Sequence, residues 1–178
     1  MLFATLLTAS LLGAPRPAAL LTPFERDPAH NTTATYTECL AFYKDLAAAN
    51  PAAVQLREAG LTDSGQPLHE VVLSADGTFE PAASRAKGRP VLFVQNGIHP
   101  GEPEGIDASM MLARDLLRDK KLLPLLQKVT LVLIPAYNVD GMLNRNSRCR
   151  ALPRKPYSRG PFWLARVVEL RFSMPSTL

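Results

Sequence analysis

Apolar residues between Thr35 and Asn50 recur at helical spacing, and polar residues mark both ends of the run. Glu38 follows Thr35 by three residues, which is the pattern of a helix capping box. The helix is predicted to end where Asn50 precedes a proline. The stretch 22–31, which comes before it, is predicted to be a short linker.

Two strands are predicted to follow this helix. Apolar and β-branched residues favour strands at 54–61 and at 68–74, and the polar sequence at 62–65 predicts the turn between them. The polar stretch 75–89 contains two glycines and a proline, so we expect it to be a surface loop.

Strand, helix and strand then follow in the pattern of a βαβ unit. Residues 90–95 and 129–134 are nearly continuous apolar runs, which are typical of strands covered on both faces. Between them a helix is predicted to begin at Pro103 and to end near Asp119. A βαβ unit implies two parallel strands with a right-handed crossover, so the fold class is α/β. The loops after both strands are expected at one edge of the sheet, where such folds place their sites.

The composition is that of a globular protein. The chain has 178 residues, of which 47% are hydrophobic and 20% charged, so it is one domain at most or part of a larger one. The net charge of +4 is concentrated near the C-terminus. From Arg148 onward there are seven basic residues and one acidic, whereas residues 1–147 carry 13 basic and 15 acidic. A nucleic-acid-binding protein needs a basic stripe on a folded face, so we expect no nucleic-acid partner.

The first residues have the character of an export signal. Residues 2–14 are apolar, uncharged and too short to span a bilayer. Small residues follow, so residues 1–19 are predicted to be a signal peptide, although no basic residue precedes the apolar run. We therefore expect a secreted or periplasmic protein with no membrane span. A glycosylation sequon at Asn31 matters only in a host that glycosylates secreted proteins.

The chain has two cysteines and no CxxC pair. Cys39 lies on the apolar side of the first long predicted helix, so we expect it to be a buried helix residue. A disulfide between Cys39 and Cys149 cannot be deduced from the sequence, so the pairing stays open.

A His and a Glu stand three residues apart directly after the predicted strand at 90–95. They belong to the sequence Asn-Gly-Ile-His-Pro-Gly-Glu-Pro-Glu-Gly at 96–105. Catalytic zinc is often held by two His and one carboxylate, with one position left for water. His99 and Glu102 are therefore candidate metal ligands, and the proline and glycine residues around them restrict the loop. Taken alone the pair is weak evidence, because both side chains also suit the start of a helix.

The stretch 96–105 and the sequence Ile-Pro-Ala-Tyr-Asn-Val-Asp-Gly at 134–141 together resemble the zinc carboxypeptidase family, which is carboxypeptidase A-like. Residues 35–46 and 62–65 also resemble bacterial members, and the resemblance covers residues 20–151. It implies a three-layer α/β fold with a mostly parallel or mixed sheet and flanking helices. It also implies one Zn²⁺ and the hydrolysis of C-terminal bonds of peptides or proteins.

The resemblance also implies roles for single residues. His99 and Glu102 are the first two zinc ligands by this resemblance, and residues 138–141 form a structural turn beside them. The family has an arginine soon after that turn, which polarises the scissile carbonyl and stabilises the oxyanion. Arg150 is the candidate for this arginine, and Arg148 is the alternative.

The resemblance stops after residue 151. The family's third zinc ligand is a later His, but His99 is the last of the three histidines in this sequence. The other two, His30 and His69, are predicted to have surface or structural roles. Glu169 is the only Glu after the two motifs, and it lies in an Arg-rich tail. We therefore expect these residues alone to hold zinc weakly and to be inactive.

Residues 152–178 form a basic tail without family resemblance. One hypothesis is an out-of-frame reading of a gene that once encoded the whole enzyme, and the alternative is a divergent C-terminus with a structural role. Because much of the expected sheet is missing, we expect the last strand to be an unpaired edge. Two other functions stay open, namely a zinc amidohydrolase of the desuccinylase or deacylase kind and a non-catalytic fragment or binding module. The sequence does not determine the oligomeric state.

Overall fold

The computed structural model describes residues 20–144, which form a four-stranded mixed sheet with flanking helices. Within these residues no helix is long and apolar enough to cross a membrane. The elements in chain order are α1 (Pro23–Arg26), α2 (Tyr36–Ala49), β1 (Val54–Leu61), β2 (Pro67–Leu73), α3 (Pro81–Ala86), β3 (Val91–Gln95), α4 (Glu104–Arg118), α5 (Leu125–Lys128), β4 (Thr130–Ile134) and α6 (Val139–Leu143).

The strand order in the sheet is β1-β2-β4-β3. Strand β2 pairs antiparallel with both β1 and β4, and β3 pairs parallel with β4. In the parallel ladder Phe93 is opposite Val132, and Gln95 is opposite Ile134. The predicted pair of parallel strands on either side of a helix is therefore confirmed.

The main hydrophobic core lies between one face of the sheet and the helices α2 and α4. Val71 is paired with Leu133 in the ladder, and both side chains belong to this core. Val72 and Val132 alternate with them, so they lie on the opposite face, where they are also buried. The fully buried residues of the core cluster are Ala34, Cys39, Tyr43, Val71, Leu73, Met110, Ala113, Leu126, Leu133 and Val139.

Helix α2 starts at the predicted capping box. Thr35 Oγ1 accepts a hydrogen bond from the backbone N–H of Glu38 at 3.2 Å, and Glu38 Oε2 accepts one from the N–H of Thr35 at 2.9 Å. The helix ends at Asn50 as predicted, and Cys39 is completely buried on its inner face. Helix α4 differs slightly from the prediction, because Pro103 is its N-cap and not its first helical residue.

Two segments predicted to be irregular contain short helices. The stretch 22–31 includes α1, which has its own capping box between Thr22 and Glu25. The stretch 75–89 includes α3, whose buried Ser84 lies with its Oγ 2.7 Å from Oγ1 of Thr130 on β4. The loop prediction was wrong because this contact is between residues distant in sequence, and local composition does not reveal it.

The exposure of the parallel strands differs from the prediction. Every residue of β4 is buried, as expected, but β3 is partly exposed, with Leu92 53% and Phe93 47% accessible. The reason is the strand order, which places β4 between β2 and β3. The prediction that the last strand is the edge was therefore wrong, because in the described sheet β3 is the edge beside it.

His30 and His69 have the surface and structural positions that were predicted. The exposed His30 lies with Nδ1 3.0 Å from the carbonyl oxygen of Phe24. In β2, Nδ1 of His69 lies 2.9 Å from the hydroxyl oxygen of Tyr36. That hydroxyl donates to the carbonyl of Pro67 at 2.8 Å, and burial raises the pKa of Tyr36 to about 12. The two contacts of the Tyr36 hydroxyl, with His69 and with Pro67, attach the start of α2 to the sheet.

Candidate metal centre

The loops after β3 and β4 lie side by side at one edge of the sheet. The backbone N–H of Tyr137 donates to the carbonyl of Asn96 at 2.8 Å, and that of Asn138 donates to the carbonyl of Gly97 at 3.0 Å. These bonds extend the parallel pairing beyond the last residues of the strands. The predicted meeting of the two motifs at one edge is therefore confirmed, and each loop restrains the other.

A buried polar contact fixes the first residue of the 96–105 loop. The side-chain amide of Asn96 is 9% exposed and donates to Oγ of Ser109 on α4 at 2.8 Å. A side chain at Gly105 would come within 3.0 Å of Oδ1 of Asn96. The loop is thus attached to α4, and Gly105 allows the close approach between them.

Gly97 makes the turn out of β3 possible. Its φ is +59°, in the left-handed region where glycine has no steric penalty. A Cβ at this position would also lie 3.0 Å from Cδ1 of Ile106, which is buried in the core. The chain therefore needs glycine here both for its backbone conformation and for packing against α4.

His99 and Glu102 meet at the tip of this loop. Nδ1 of His99 lies 3.0 Å from Oε2 of Glu102, and the backbone N–H of Glu102 donates to the carbonyl of His99 at 3.1 Å. Their side chains are 65% and 62% exposed, so solvent and ligands reach both. The imidazole nitrogen and the carboxylate oxygen therefore converge on one accessible point just before α4.

These two side chains have the chemistry that zinc requires, since His nitrogen and Glu oxygen are both common zinc donors. Their mutual distance shows that one ion could contact both. Among residues 20–144 no group of three or more His, Cys, Asp or Glu side chains is placed to hold a metal ion. The residues present thus fit part of a zinc site and do not complete its coordination.

Residues 138–141 were predicted to be a turn; they are the N-cap and the first turn of the short helix α6, and they pack directly against this loop. Oδ1 of Asn138 accepts from the N–H of Gly141 at 2.8 Å, and its Nδ2 donates to the carbonyl of Ile98 at 3.3 Å. A Cβ at Gly141 would lie 2.8 Å from Cγ of Pro100, the residue after His99. The turn therefore supports the backbone on both sides of His99, which is the position predicted for it.

Asp140 connects this region to the turn between β1 and β2, a role that the sequence reasoning missed. Its Oδ1 accepts from the hydroxyl of Thr62 at 2.9 Å, and its Oδ2 accepts from the N–H of Ser64 at 3.4 Å. The sequence predicted a turn in each of the two segments, but nothing in either one showed that they touch.

The arginine candidates Arg150 and Arg148 lie outside the described residues, which end at residue 144. Cys149 also falls there, and so does the basic tail at 152–178. The predicted signal peptide at 1–19 lies outside the described residues at the other terminus. Within residues 20–144 the candidate site therefore consists of the two candidate metal ligands and the turn that supports them.

Three comparisons agree on the relatives of this chain. The zinc carboxypeptidase family matches residues 39–160, which is more than half of the sequence. Carboxypeptidase 2 of Trichophyton rubrum is 32% identical over 87 residues, which are 48% of this chain and 16% of that protein.

The solved structures show the same fold. Carboxypeptidase A from Helicoverpa armigera matches with a TM-score of 0.54 and 21% identity over 63% of this chain and 26% of its own. A metallo-carboxypeptidase from Burkholderia cenocepacia matches with a TM-score of 0.50 and 22% identity over 62% of this chain and 28% of its own. This chain thus spans about a quarter of the length of these structures. Because the family match covers more than half of the sequence and the fold agrees with it, the chain belongs to the zinc carboxypeptidase family.

Proposed function

We propose that this chain is the part of a zinc metallocarboxypeptidase that supplies its first two metal ligands. One observation carries the proposal: His99 Nδ1 and Glu102 Oε2 lie 3.0 Å apart and are accessible at the end of a parallel strand. Family membership supports the choice of zinc as the metal. The substrates would be the C-termini of peptides or proteins, as in the family to which the chain belongs.

Each residue would have a distinct task. Bound zinc supplies a Lewis acid and an activated water to such a reaction. His99 in its neutral form and Glu102 as carboxylate would hold the ion, and the turn at 138–141 would keep their loop in place. Arg150, with Arg148 as the alternative, would stabilise negative charge on the substrate carbonyl oxygen.

We further propose that these 178 residues do not hydrolyse peptides unaided. A catalytic zinc site of this kind has three protein ligands, and the sequence contains no His after His99 to serve as the third. Two ligands give zinc neither high affinity nor a defined geometry.

Zinc binding tests the ligand assignment. We expect isothermal titration calorimetry to show one weak site in the 178-residue chain. His99→Ala and Glu102→Gln are each expected to weaken binding by about tenfold or more, since even indirect support of a metal is worth about 10 to 100-fold. His30→Ala is the matched control, because His30 is exposed and lies in another part of the fold. An equal loss of zinc affinity in His30→Ala, or no loss of affinity in either His99→Ala or Glu102→Gln, would refute the assignment.

Hydrolysis tests activity and substrate class. The purified chain with added zinc is incubated with peptides that have free C-termini and, in parallel, with acylated amino acids. We expect no turnover that a chelator abolishes. Chelator-sensitive cleavage of peptides would refute the proposed inactivity and keep the carboxypeptidase assignment. Cleavage of acylated amino acids alone would replace that assignment with the amidohydrolase alternative.

We propose that the protein is exported, to the periplasm or the medium, with removal of residues 1–19. The support is the apolar, uncharged run at 2–14 followed by small residues. The test is to recover the protein separately from the cytoplasm, the periplasm and the medium and to sequence its N-terminus. A cytoplasmic protein that keeps its first residues would contradict the proposal.

A further inference from the structure

The sequence contains a single Asn-Gly pair, Asn96-Gly97, at the start of the loop that carries His99. Asparagine is a thermolabile residue, and it is most reactive before glycine, which has no side chain to hinder its backbone nitrogen. In this reaction the glycine nitrogen attacks Cγ of the asparagine, ammonia leaves, and a cyclic succinimide forms. Water then opens the ring at either carbonyl and gives aspartate or isoaspartate. The loop therefore begins with a peptide that can change its own covalent structure.

The backbone at Asn96 is held in a conformation that opposes closure of this ring. Its N–H donates to the carbonyl of Ile134 at 3.1 Å, and its carbonyl accepts from the N–H of Tyr137 at 2.8 Å. Asn96 thus continues the parallel pairing beyond β3, in an extended conformation. Ring closure needs the Gly97 nitrogen to turn back onto the Asn96 side chain. The next bond, from the N–H of Asn138 to the carbonyl of Gly97 at 3.0 Å, restrains that rotation.

The side chain of Asn96 is fixed as well. It is buried, and its Nδ2 donates to Oγ of Ser109 at 2.8 Å, where Ser109 is only 6% exposed. Its Oδ1 and Cγ lie against Gly105, at 3.0 and 3.6 Å from the position that a Cβ would occupy there. The nitrogen that must leave as ammonia is therefore the atom that Ser109 binds, in a place that water hardly reaches.

We propose that Asn96-Gly97 is a deamidation site that the fold keeps unreactive, and that Ser109 protects it by holding the side-chain amide of Asn96. Reaction then requires local opening of the contact between the loop and α4. The complete step consumes one water and releases one ammonia, so it needs neither an enzyme nor a cofactor. This inference concerns the covalent stability of the loop and does not depend on zinc binding.

Deamidation would weaken the support of the candidate metal centre. Isoaspartate places one additional carbon in the main chain between positions 96 and 97. The carbonyls of these two residues accept from Tyr137 and Asn138, and the longer main chain cannot keep both hydrogen bonds. Aspartate keeps the backbone but, as a carboxylate, has no N–H to donate to Ser109. Either product is therefore expected to loosen the loop that carries His99.

Peptide mass spectrometry of the full chain, after incubation in mildly alkaline buffer, measures deamidation at Asn96. We expect the folded wild type to react about tenfold or more slowly than the same chain unfolded in urea. Ser109→Ala is expected to raise the rate in the folded chain by about tenfold, the factor that corresponds to the loss of one buried hydrogen bond. Ser84→Ala is the matched control, because it removes a buried hydroxyl that contacts Thr130, at the other end of β4. It is expected to leave the rate at Asn96 unchanged.

In urea the wild type and both variants are expected to react at one rate, because the sequence around Asn96 is the same in all of them. A folded wild type that reacts as fast as the unfolded chain overturns the proposal. So does a rate that Ser109→Ala leaves unchanged, or that Ser84→Ala raises equally. If circular dichroism shows Ser109→Ala to be unfolded, Ser109→Cys takes its place, because it keeps a side chain of similar size with only a weak acceptor. A wild-type rate in folded Ser109→Cys would then overturn the proposal.

Discussion

The hydroxyl of Thr62 donates a hydrogen bond to Oδ1 of Asp140 at 2.9 Å, across 78 positions of sequence. It joins the turn between β1 and β2 to the turn that packs against the His99 loop. Thr62 Oγ1 also accepts from the N–H of Gln66 at 3.1 Å, so the hydroxyl closes its own turn as well. One side chain thus connects the edge of the sheet to the support of the candidate metal centre.

Thr62→Val is expected to lower the free energy of unfolding by about 1 kcal/mol, because Asp140 loses a hydrogen bond and the N–H of Gln66 loses its acceptor. Urea unfolding followed by circular dichroism measures the change. Thr62→Ser is the control, since it retains the hydroxyl and is expected to lose less than half as much. A loss of stability in Thr62→Val that is no larger than the loss in Thr62→Ser would contradict the contribution assigned to these hydrogen bonds.

The sequence predicted the elements best where their signals are local. The capping box at Thr35 and the apolar runs of the strands determined the long elements, since such signals depend only on neighbouring residues. The helix α3 and the exposure of β3 were missed because both follow from strand order and from contacts between distant residues, such as Ser84 with Thr130.

In the candidate site, too, local relationships were predictable from the sequence and contacts between distant residues were not. The adjacency of His99 and Glu102 was predictable because three residues separate them at the end of a strand. The contact of Asp140 with Thr62 was not predictable, because it requires the antiparallel hairpin to place its turn beside the turn after β4. The spacing of His and Glu in the sequence identified the candidate ligands, but only the fold shows which residues support them.

Gly141→Ala is expected to destabilise the fold by about 1 to 3 kcal/mol, the usual cost of forcing extra atoms into a packed region. The new Cβ would lie 2.7 Å from Oδ1 of Asn138 and 2.8 Å from Cγ of Pro100, so one of the two turns must move. Thermal unfolding measures the loss of stability. Zinc titration of the same variant is expected to show weaker binding, since Pro100 adjoins His99.

Gly88→Ala is the control for that experiment. Gly88 lies between α3 and β3 and has φ +69°, so alanine there is strained, but no atom lies within 4 Å of the new Cβ. We expect Gly88→Ala to lower stability and to leave zinc affinity unchanged. If both variants weaken zinc binding equally, general loss of stability is the cause and the packing of Gly141 against Pro100 is not.

Asp76 provides an acid-sensitive contribution to stability. Its carboxylate accepts from Lys87 Nζ at 2.8 Å, from the N–H of Thr78 at 3.2 Å and from Arg89 Nη2 at 2.9 Å. These hydrogen bonds, with that of Lys87 the largest, hold the pKa of Asp76 far below its usual value. A lowered pKa in the folded state means that the contribution is complete above the unfolded pKa of about 4 and is lost as pH falls below it.

Asp76→Asn is therefore expected to be less stable than the wild type at pH 7, and the difference is expected to shrink as pH falls from about 4 towards 2. Urea unfolding at several pH values measures the free energy of unfolding of the wild type and of Asp76→Asn. Asp45→Asn changes an exposed aspartate on α2 and keeps Asp76, so it should show the acid dependence of the wild type. A constant difference between Asp76→Asn and the wild type at all pH values would contradict the role of this carboxylate.

Ser109→Ala is expected to cost about 1 to 3 kcal/mol of stability, because it leaves the buried amide of Asn96 without its acceptor. Asn96 begins the loop that carries His99, and its Nδ2 donates to Ser109 Oγ at 2.8 Å. A second substitution, Asn96→Ala, removes the donor as well, so the double variant should lose less than the sum of the two single losses. Chemical unfolding of the three variants gives this coupling, and additive losses would mean that the bond does not hold the loop to α4.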